Sequence, residues 1–474
     1  MASLKTNVIW NVVRVGANML FPIFTLPYIN RVLGAYNIGL YNYINSIVSY
    51  FILFASLGFP LYGTREVTKL RDYKEQLENK VNSIFSANLL SAFLFLIGFL
   101  IFARIGFDEH FSLCLILGSS VILSSISFEW FFQGIEEFRY ITIRSLIFKA
   151  ISVLCLFIFV KDRTDILIYA IINIFAVFGS NIVNCWKLNH YLSLKFKLIN
   201  WRENLKGASL LFVGSIIASL YTHINAVMLG TLGSVVAVAY YTTGDKFIQM
   251  CLQIMNAFST AIIPRISYLN NNTNRNYVHI LQKKILNIIF LFTIPMCIGL
   301  HVSADEIIMI FAGREFYPAT NVLKWLSIIV VLIPVSIFFA FQVLYPIGKE
   351  KYSNYSTIAA ASSNIIINSI FIPILSYKAV IISILISEGI VVIMHYYYSR
   401  KYIKLKIGDL LKYKMILAAI ISGIVASIVV VDNNIVSAIL KASTIIIVYP
   451  LLLCVMKEET IYETMRILKM SINK

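Results

Sequence analysis

Arg14 and Lys149 each sit inside a long apolar run, Arg14 about two turns into residues 8–33 and Lys149 near the middle of 141–160. A lysine or arginine at the centre of a membrane helix costs about 2.5–3.5 kcal/mol on insertion scales unless water, a carboxylate or an anionic ligand compensates it. The chemistry they offer is anion binding. The structural alternatives are snorkelling of Arg14 to the interface and a buried pair of Lys149 with Glu129 or Asp245. Both cations belong to polar stripes at helical spacing: Arg14 aligns with Asn11, Asn18 and Thr25, and Lys149 with Thr142, Ser145 and Ser152. Three further stripes are Asn42, Asn45, Ser49; then Ser215, Ser219, Thr222, His223; then Asp245, Gln249, Gln253, Asn256, Thr260. In a bilayer such stripes face protein or water and not lipid, so they can converge on one wet cavity. As glue between helices they would be worth about 0.6 kcal/mol per contact. His223 reads more readily as a hydrogen-bonded core histidine than as a proton carrier.

Ion coupling is the second chemistry on offer. Asn364 and Asn368 lie one turn apart, and Ser383, Ser387 and Glu388 follow in the next run. Amide and hydroxyl oxygens with one carboxylate suit a sodium ion, and a lone intramembrane glutamate suits a proton. A structural pairing of Glu388 with His395 or with backbone is the alternative. No other cofactor is indicated: the six cysteines show no CxxC spacing for a zinc site or disulfide framework. No GxxxxGK[ST] loop is present to bind ATP.

The elements that carry these residues follow from composition. With 59% hydrophobic and 13% charged residues and a mean hydropathy of +0.80, the chain has too little charge to cover itself in water. Runs bounded by charges or turn residues predict fourteen membrane helices over 8–33, 40–62, 83–103, 111–134, 141–160, 166–186, 208–230, 244–264, 286–310, 321–345, 356–375, 379–398, 414–431 and 435–456. Arg14, Pro22 and Pro27 interrupt the first run, which is expected to stay as a membrane helix and not to be cleaved as a signal peptide. The net charge of +17 would suggest nucleic acid in a soluble chain, but the basic residues lie in the breaks between runs. Counted by alternate connections, 29 fall on the face that carries both termini and five on the other. The positive-inside rule puts both termini in the cytoplasm. The opposite connections are short, which opposes an integral membrane polymerase or ligase with its reactive groups in a sizeable external loop.

Spans one to six and seven to twelve repeat weakly in order. Ile29-Asn30-Arg31-Val32-Leu33-Gly34 matches Ile224-Asn225-Ala226-Val227-Met228-Leu229-Gly230, Gly58-Phe59-Pro60 with Arg65 matches Pro264-Arg265, and Gln133-Gly134-Ile135-Glu136-Glu137 matches Pro346-Ile347-Gly348-Lys349-Glu350. The expected fold is all-α, with two parallel six-helix bundles at 1–206 and 207–413, a substrate site between them, and two extra helices with a tail at 414–474.

Thr25-Leu26-Pro27-Tyr28-Ile29-Asn30-Arg31-Val32-Leu33-Gly34, Trp130-Phe131-Phe132-Gln133-Gly134-Ile135-Glu136, Met228-Leu229-Gly230 with Tyr240-Tyr241, Pro264-Arg265-Ile266-Ser267 and Leu344-Tyr345-Pro346-Ile347-Gly348-Lys349-Glu350 together resemble the Wzx-type O-antigen and capsule repeat-unit flippases. These form a branch of the multidrug, oligosaccharidyl-lipid and polysaccharide exporter superfamily. The resemblance implies export of an undecaprenyl-diphosphate-linked oligosaccharide by alternating access, without covalent change, for O-antigen (lipopolysaccharide) or capsule synthesis. Membrane lipids, and polymerase and chain-length proteins of the same pathway, are the other implied partners. In the related lipid II flippases, arginines of the first span and at the eighth hold the lipid diphosphate, and Arg14 and Arg265 occupy similar places. A sodium site there involves the seventh, eleventh and twelfth spans; Asn364 and Asn368 sit at similar spacing, with an amide in place of the second acid. The rival within the superfamily is a multidrug cation antiporter, which would be expected to carry acids where Arg14 and Lys149 stand.

Overall fold

A computed structural model describes residues 4–199, 201–272, 275–403, 412–429 and 431–462. All regular structure among the described residues is helical, with no strand. Helices satisfy their own backbone groups, which a bilayer cannot do for them. The chain falls into two compact units, Met1–Gly230 and Thr231–Lys474.

The first unit contains α1 (Leu4–Ser56), α2 (Phe59–Leu70), α3 (Lys74–Gly106), α4 (Phe111–Ser125), α5 (Glu129–Gly134), α6 (Phe138–Phe159), α7 (Ile166–Phe178), α8 (Ser180–Leu188) and nearly all of α9 (Trp201–Leu232). α1 holds two helices joined across a kink at Gly34, whose φ of 75° costs glycine little. This is where the first predicted span ends. A second break follows at Leu57 and Gly58, both at positive φ.

The two ends of this unit are chemically distinct. At one, Glu137 takes a salt bridge from Lys187 and a hydrogen bond from Tyr191, Arg71 lies 3.5 Å from Glu136, and Asn82 donates to Ser193 O at 2.9 Å. Burial, with Glu137 beside it, pushes the Tyr191 hydroxyl up to about 12, so it remains a donor there. At the other, Tyr28 donates to Val160 O at 2.6 Å, Asn37 to Arg163 O at 2.7 Å, and Tyr36 meets His110 at 3.3 Å. The basic connections 65–80, 139–144 and 187–206 therefore share one end, as the alternating charge count requires.

Residues 207–230, grouped with the second bundle on sequence, pack within the first unit. A Cβ on Gly207 would stand 2.4 Å from the Tyr62 ring, and one on Gly230 would stand 2.2 Å from the Tyr43 ring. Small residues allow this close approach, and Ala208 joins the aromatic core of Phe59, Tyr62, Phe128, Phe131 and Phe132.

The second unit contains α10 (Val235–Asn272), α11 (Arg275–Val302), α12 (Ala304–Phe311), α13 (Ala319–Leu326), α14 (Ile329–Ile337), α15 (Glu350–Leu375), α16 (Tyr377–Ser399), α17 (Tyr413–Ile428) and α18 (Asn434–Val455). The ninth predicted span, 286–310, is corrected: α11 begins at Arg275 and stops at Val302, and residues 304–311 form a separate short helix. Ser303 separates the two, and the amphipathic stretch Arg275–Lys284 lengthens α11 at its other end. α14 continues through a π segment, Phe338–Leu344, into a 3₁₀ turn at Tyr345–Ile347. Pro346 cannot donate to the Gln342 carbonyl one turn back; Gln282 Nε2 does so instead at 2.7 Å. The core of this unit gathers Leu286, Ile289, Phe338, Phe339, Met415 and Leu453, which draws in α17 and α18.

Ten helical stretches among the described residues are long and apolar enough to cross a bilayer. One of them, Phe21–Leu70, runs 50 residues, about 75 Å at 1.5 Å per residue, and carries the breaks at Gly34 and Gly58. Of the fourteen predicted runs, 208–230 lies in α9, 244–264 in α10 and 414–431 largely in the 16-residue α17. The chain is a multi-pass membrane protein.

Candidate functional site

The short helix α5 positions the principal polar cluster of the first unit. Phe128, fully buried, caps it at a φ of 45° that bulky residues rarely take. Trp130, Phe131 and Phe132 are buried behind it. A Cβ on Gly63 would stand 2.4 Å from the Trp130 ring and one on Gly134 would stand 2.6 Å from Val67, so α5 lies tightly on α2. With its aromatic face buried, α5 presents Glu129 and Gln133, four residues apart, on the remaining side.

Glu129 meets cations from two other helices. Arg14 Nη1 of α1 is 2.6 Å from its Oε1, and Arg144 Nη2 of α6 is 3.8 Å from its Oε2. Gln133 Nε2 donates to the same Oε1 at 3.1 Å. Lys149, also on α6, lies within electrostatic reach of both Arg14 and Glu129. Side-chain exposure is 26% for Arg14 and 34% for Glu129 but 5% for Arg144. The buried Arg144 stacks over Tyr140 at 5.6 Å, and its Nε and Nη1 have no hydrogen-bond partner among the described residues. Among the described residues, Arg14 and Arg144 thus pair with one carboxylate while Lys149 lies within electrostatic reach of it, and the excess positive charge can hold an anion.

The structure therefore brings Arg14 and Lys149 together, and Arg14 contacts an acid on another helix in addition to any reach toward the interface. Neither Glu129 nor Arg144 stands out as a site residue on sequence. On sequence Glu129 is only one possible partner of Lys149, and Arg144 falls in the basic connection 139–144, although it is buried five residues before Lys149 on α6. The spacing of Glu129 and Gln133 was the available signal. Asn18 and Arg265 have side chains outside the described residues. His223 is half-buried beside Tyr50, ring centroids 6.0 Å apart.

In the second unit, Gln249, Gln253 and Asn256 are exposed on α10, while Ile248, Leu252 and Met255 are buried on its other side. Gln249 Nε2 lies 3.3 Å from Asp245 Oδ1. This polar face points off the core of its unit, where lipid would leave it unsatisfied and water would not. Asn364 and Asn368 are fully buried on α15: Asn368 donates to Asn364 Oδ1 at 3.0 Å, and Asn364 to Ser383 Oγ of α16 at 3.2 Å. Glu388 is buried on α16, and His395 Nδ1 meets Ser336 Oγ at 3.1 Å. No group of His, Cys, Asp or Glu that could hold a metal ion occurs among the described residues.

A family model described as polysaccharide biosynthesis protein matches residues 4–270. A relative from Escherichia coli (strain K12), named "Putative O-antigen transporter", is 28% identical over 76% of this chain and 87% of its own length. One of the same name from Shigella dysenteriae is 25% identical over 82% of this chain and 98% of its own. Among solved structures, a lipid II flippase MurJ in an inward closed conformation superposes with a TM-score of 0.73 at 15% identity, covering 96% of this chain and all of that one. An inward-facing multidrug resistance MATE family transporter of the MOP superfamily gives a TM-score of 0.60 at 14% identity, with 82% of this chain and 97% of the other covered. These two likenesses concern the fold, and it is an all-helical transporter fold. The family model covers more than half of the sequence, and the chain accordingly belongs to the polysaccharide biosynthesis protein family.

Proposed function

We propose that the chain carries an undecaprenyl-diphosphate-linked oligosaccharide repeat unit from the cytoplasmic to the external leaflet by alternating access, for O-antigen or capsule synthesis. The observation that carries this reading is the cluster of Arg14, Arg144 and Lys149 around Glu129. A diphosphate entering a low-dielectric site must be met by positive charge, and charge-assisted hydrogen bonds are about twice as strong as neutral ones. The exposed amides Gln249, Gln253 and Asn256, with Asp245, His223 and Asn18, are the proposed contacts for the glycan, and Arg265 is a further diphosphate contact. A cationic drug would find three like charges against one carboxylate, which disfavours a multidrug antiporter.

Asn364, Asn368 and Glu388 are the proposed coupling site for a proton or sodium ion; the burial of all three and the hydrogen bond from Asn368 to Asn364 support a site that can sense protonation or ion binding. Both termini are proposed to be cytoplasmic in the inner membrane, in a chain of fourteen spans. Polymerase and chain-length proteins would take up the exported unit.

The test is translocation by the purified full chain in proteoliposomes, using an undecaprenyl-diphosphate-linked oligosaccharide with a fluorescent sugar and an impermeant quencher. Protein-dependent loss of protection is expected, and its elimination in Lys149→Ala. Uptake of a cationic dye with no glycolipid movement would replace this reading with the antiporter.

A further inference from the structure

A carboxylate placed against the cations of an anion site competes with the anion. Glu129 holds Arg14 at 2.6 Å, yet 34% of its side chain and 26% of that of Arg14 are exposed, so a ligand can reach the contact. Its second oxygen is 3.8 Å from Arg144, a buried cation whose Nε and Nη1 have no hydrogen-bond partner among the described residues. The two partners of the Arg14 contact differ in freedom. Glu129 starts the short α5, locked by the buried Phe128 at positive φ and by Trp130 against Gly63. Arg14 reaches it along a side chain with several rotatable bonds, so the arginine is the partner that can leave. Among the described residues these four charged groups leave an excess of positive charge, which a diphosphate can neutralise.

We infer that Glu129 is a built-in counter-anion: it holds Arg14 while the site is empty, yields it to a diphosphate group, and reclaims it when the diphosphate leaves. This rests on the proposal that a diphosphate-linked lipid is the cargo. Without the carboxylate the site would carry three cations and grip a diphosphate too well to release it. Glu129 would then set both the preference for a diphosphate and the rate of release.

The test uses the purified full-length protein with farnesyl diphosphate as probe and farnesyl monophosphate and farnesol as comparisons. Wild type is expected to bind the diphosphate more tightly than the monophosphate and to ignore the alcohol. Glu129→Gln should bind farnesyl diphosphate about tenfold more tightly, equivalent to about 1.4 kcal/mol, and release it more slowly. Surface glycan per inserted copy should nonetheless fall. Tighter binding with poorer export is a combination that a merely structural role would not produce, since a damaged site binds less. Should Glu129→Gln fail to insert, Glu129→Asp decides: it keeps the charge but withdraws it by one methylene, and about threefold tighter binding is expected from the weakened contact. Unchanged or weaker binding in the inserted variant overturns the inference while the cargo proposal stands, provided that Arg14→Ala still abolishes wild-type binding. Wild type that does not bind farnesyl diphosphate overturns both.

Discussion

Arg14 shows how an intramembrane cation acquires a function through its surroundings. On sequence it is one charge in an apolar run; in the fold it touches Glu129, with Arg144 and Lys149 close by. Lys149→Ala is expected to lose at least tenfold of the surface glycan per membrane-inserted copy, and Lys149→Arg to retain part of it, because charge is kept while geometry changes. Arg14→Ala should be about as severe, since Arg14 is held at the carboxylate. Normal export by both alanine variants would make the cations structural. At the other titratable site, Glu388→Gln should reduce gradient-driven transport while leaving glycolipid binding near wild type. Export with unchanged ion dependence in that variant would remove Glu388 from coupling.

Between elements, close approach and one buried ion pair set the architecture. Gly230 on α9 admits Tyr43 of α1 so closely that a Cβ would lie 2.2 Å from the ring. Gly230→Leu is expected to lower stability by about 1–3 kcal/mol through overpacking, read as a fall in the thermal unfolding midpoint in detergent; an unchanged midpoint would show that α9 can move aside. In the second unit Lys441 of α18 forms a salt bridge with Glu306 of α12, both 11% exposed, and Ser437 donates to the same carboxylate at 3.0 Å. Removing one partner of a buried pair costs about 3–5 kcal/mol because the other charge is left uncompensated, whereas replacing both with apolar groups can be neutral. Lys441→Met alone should therefore destabilise the chain much more than Lys441→Met combined with Glu306→Leu. Equal losses would mean that the pair does not anchor α18.

At the scale of the whole molecule, charge distribution governs orientation. The basic connections of the first unit meet at one end through the Lys187–Glu137 and Arg71–Glu136 pairs, which is how alternating crossings sort them. A reporter fused after residue 434 is expected to read external and one after Lys474 cytoplasmic. Identical readings from the two fusions would remove the fourteen-span topology.

The sequence by itself determined the medium, the helical class and some of the breaks between helices, because these depend on local quantities: mean hydropathy, the length of apolar runs, and residues such as Gly34 and Gly348 that accept positive φ. It also singled out Arg14 and Lys149, since a cation in an apolar run is visible without knowing its neighbours. Only the tertiary structure decided what those cations meet. Glu129 is 115 residues from Arg14 and lies between a strained phenylalanine and an aromatic run whose burial, not its period, turns the carboxylate toward them. Arg144 was hidden for the same reason, because its burial depends on helices that no local pattern connects. The side chosen by residues 207–230 was equally a matter of packing, settled by glycines at 207 and 230 that let α9 settle against Tyr62 and Tyr43.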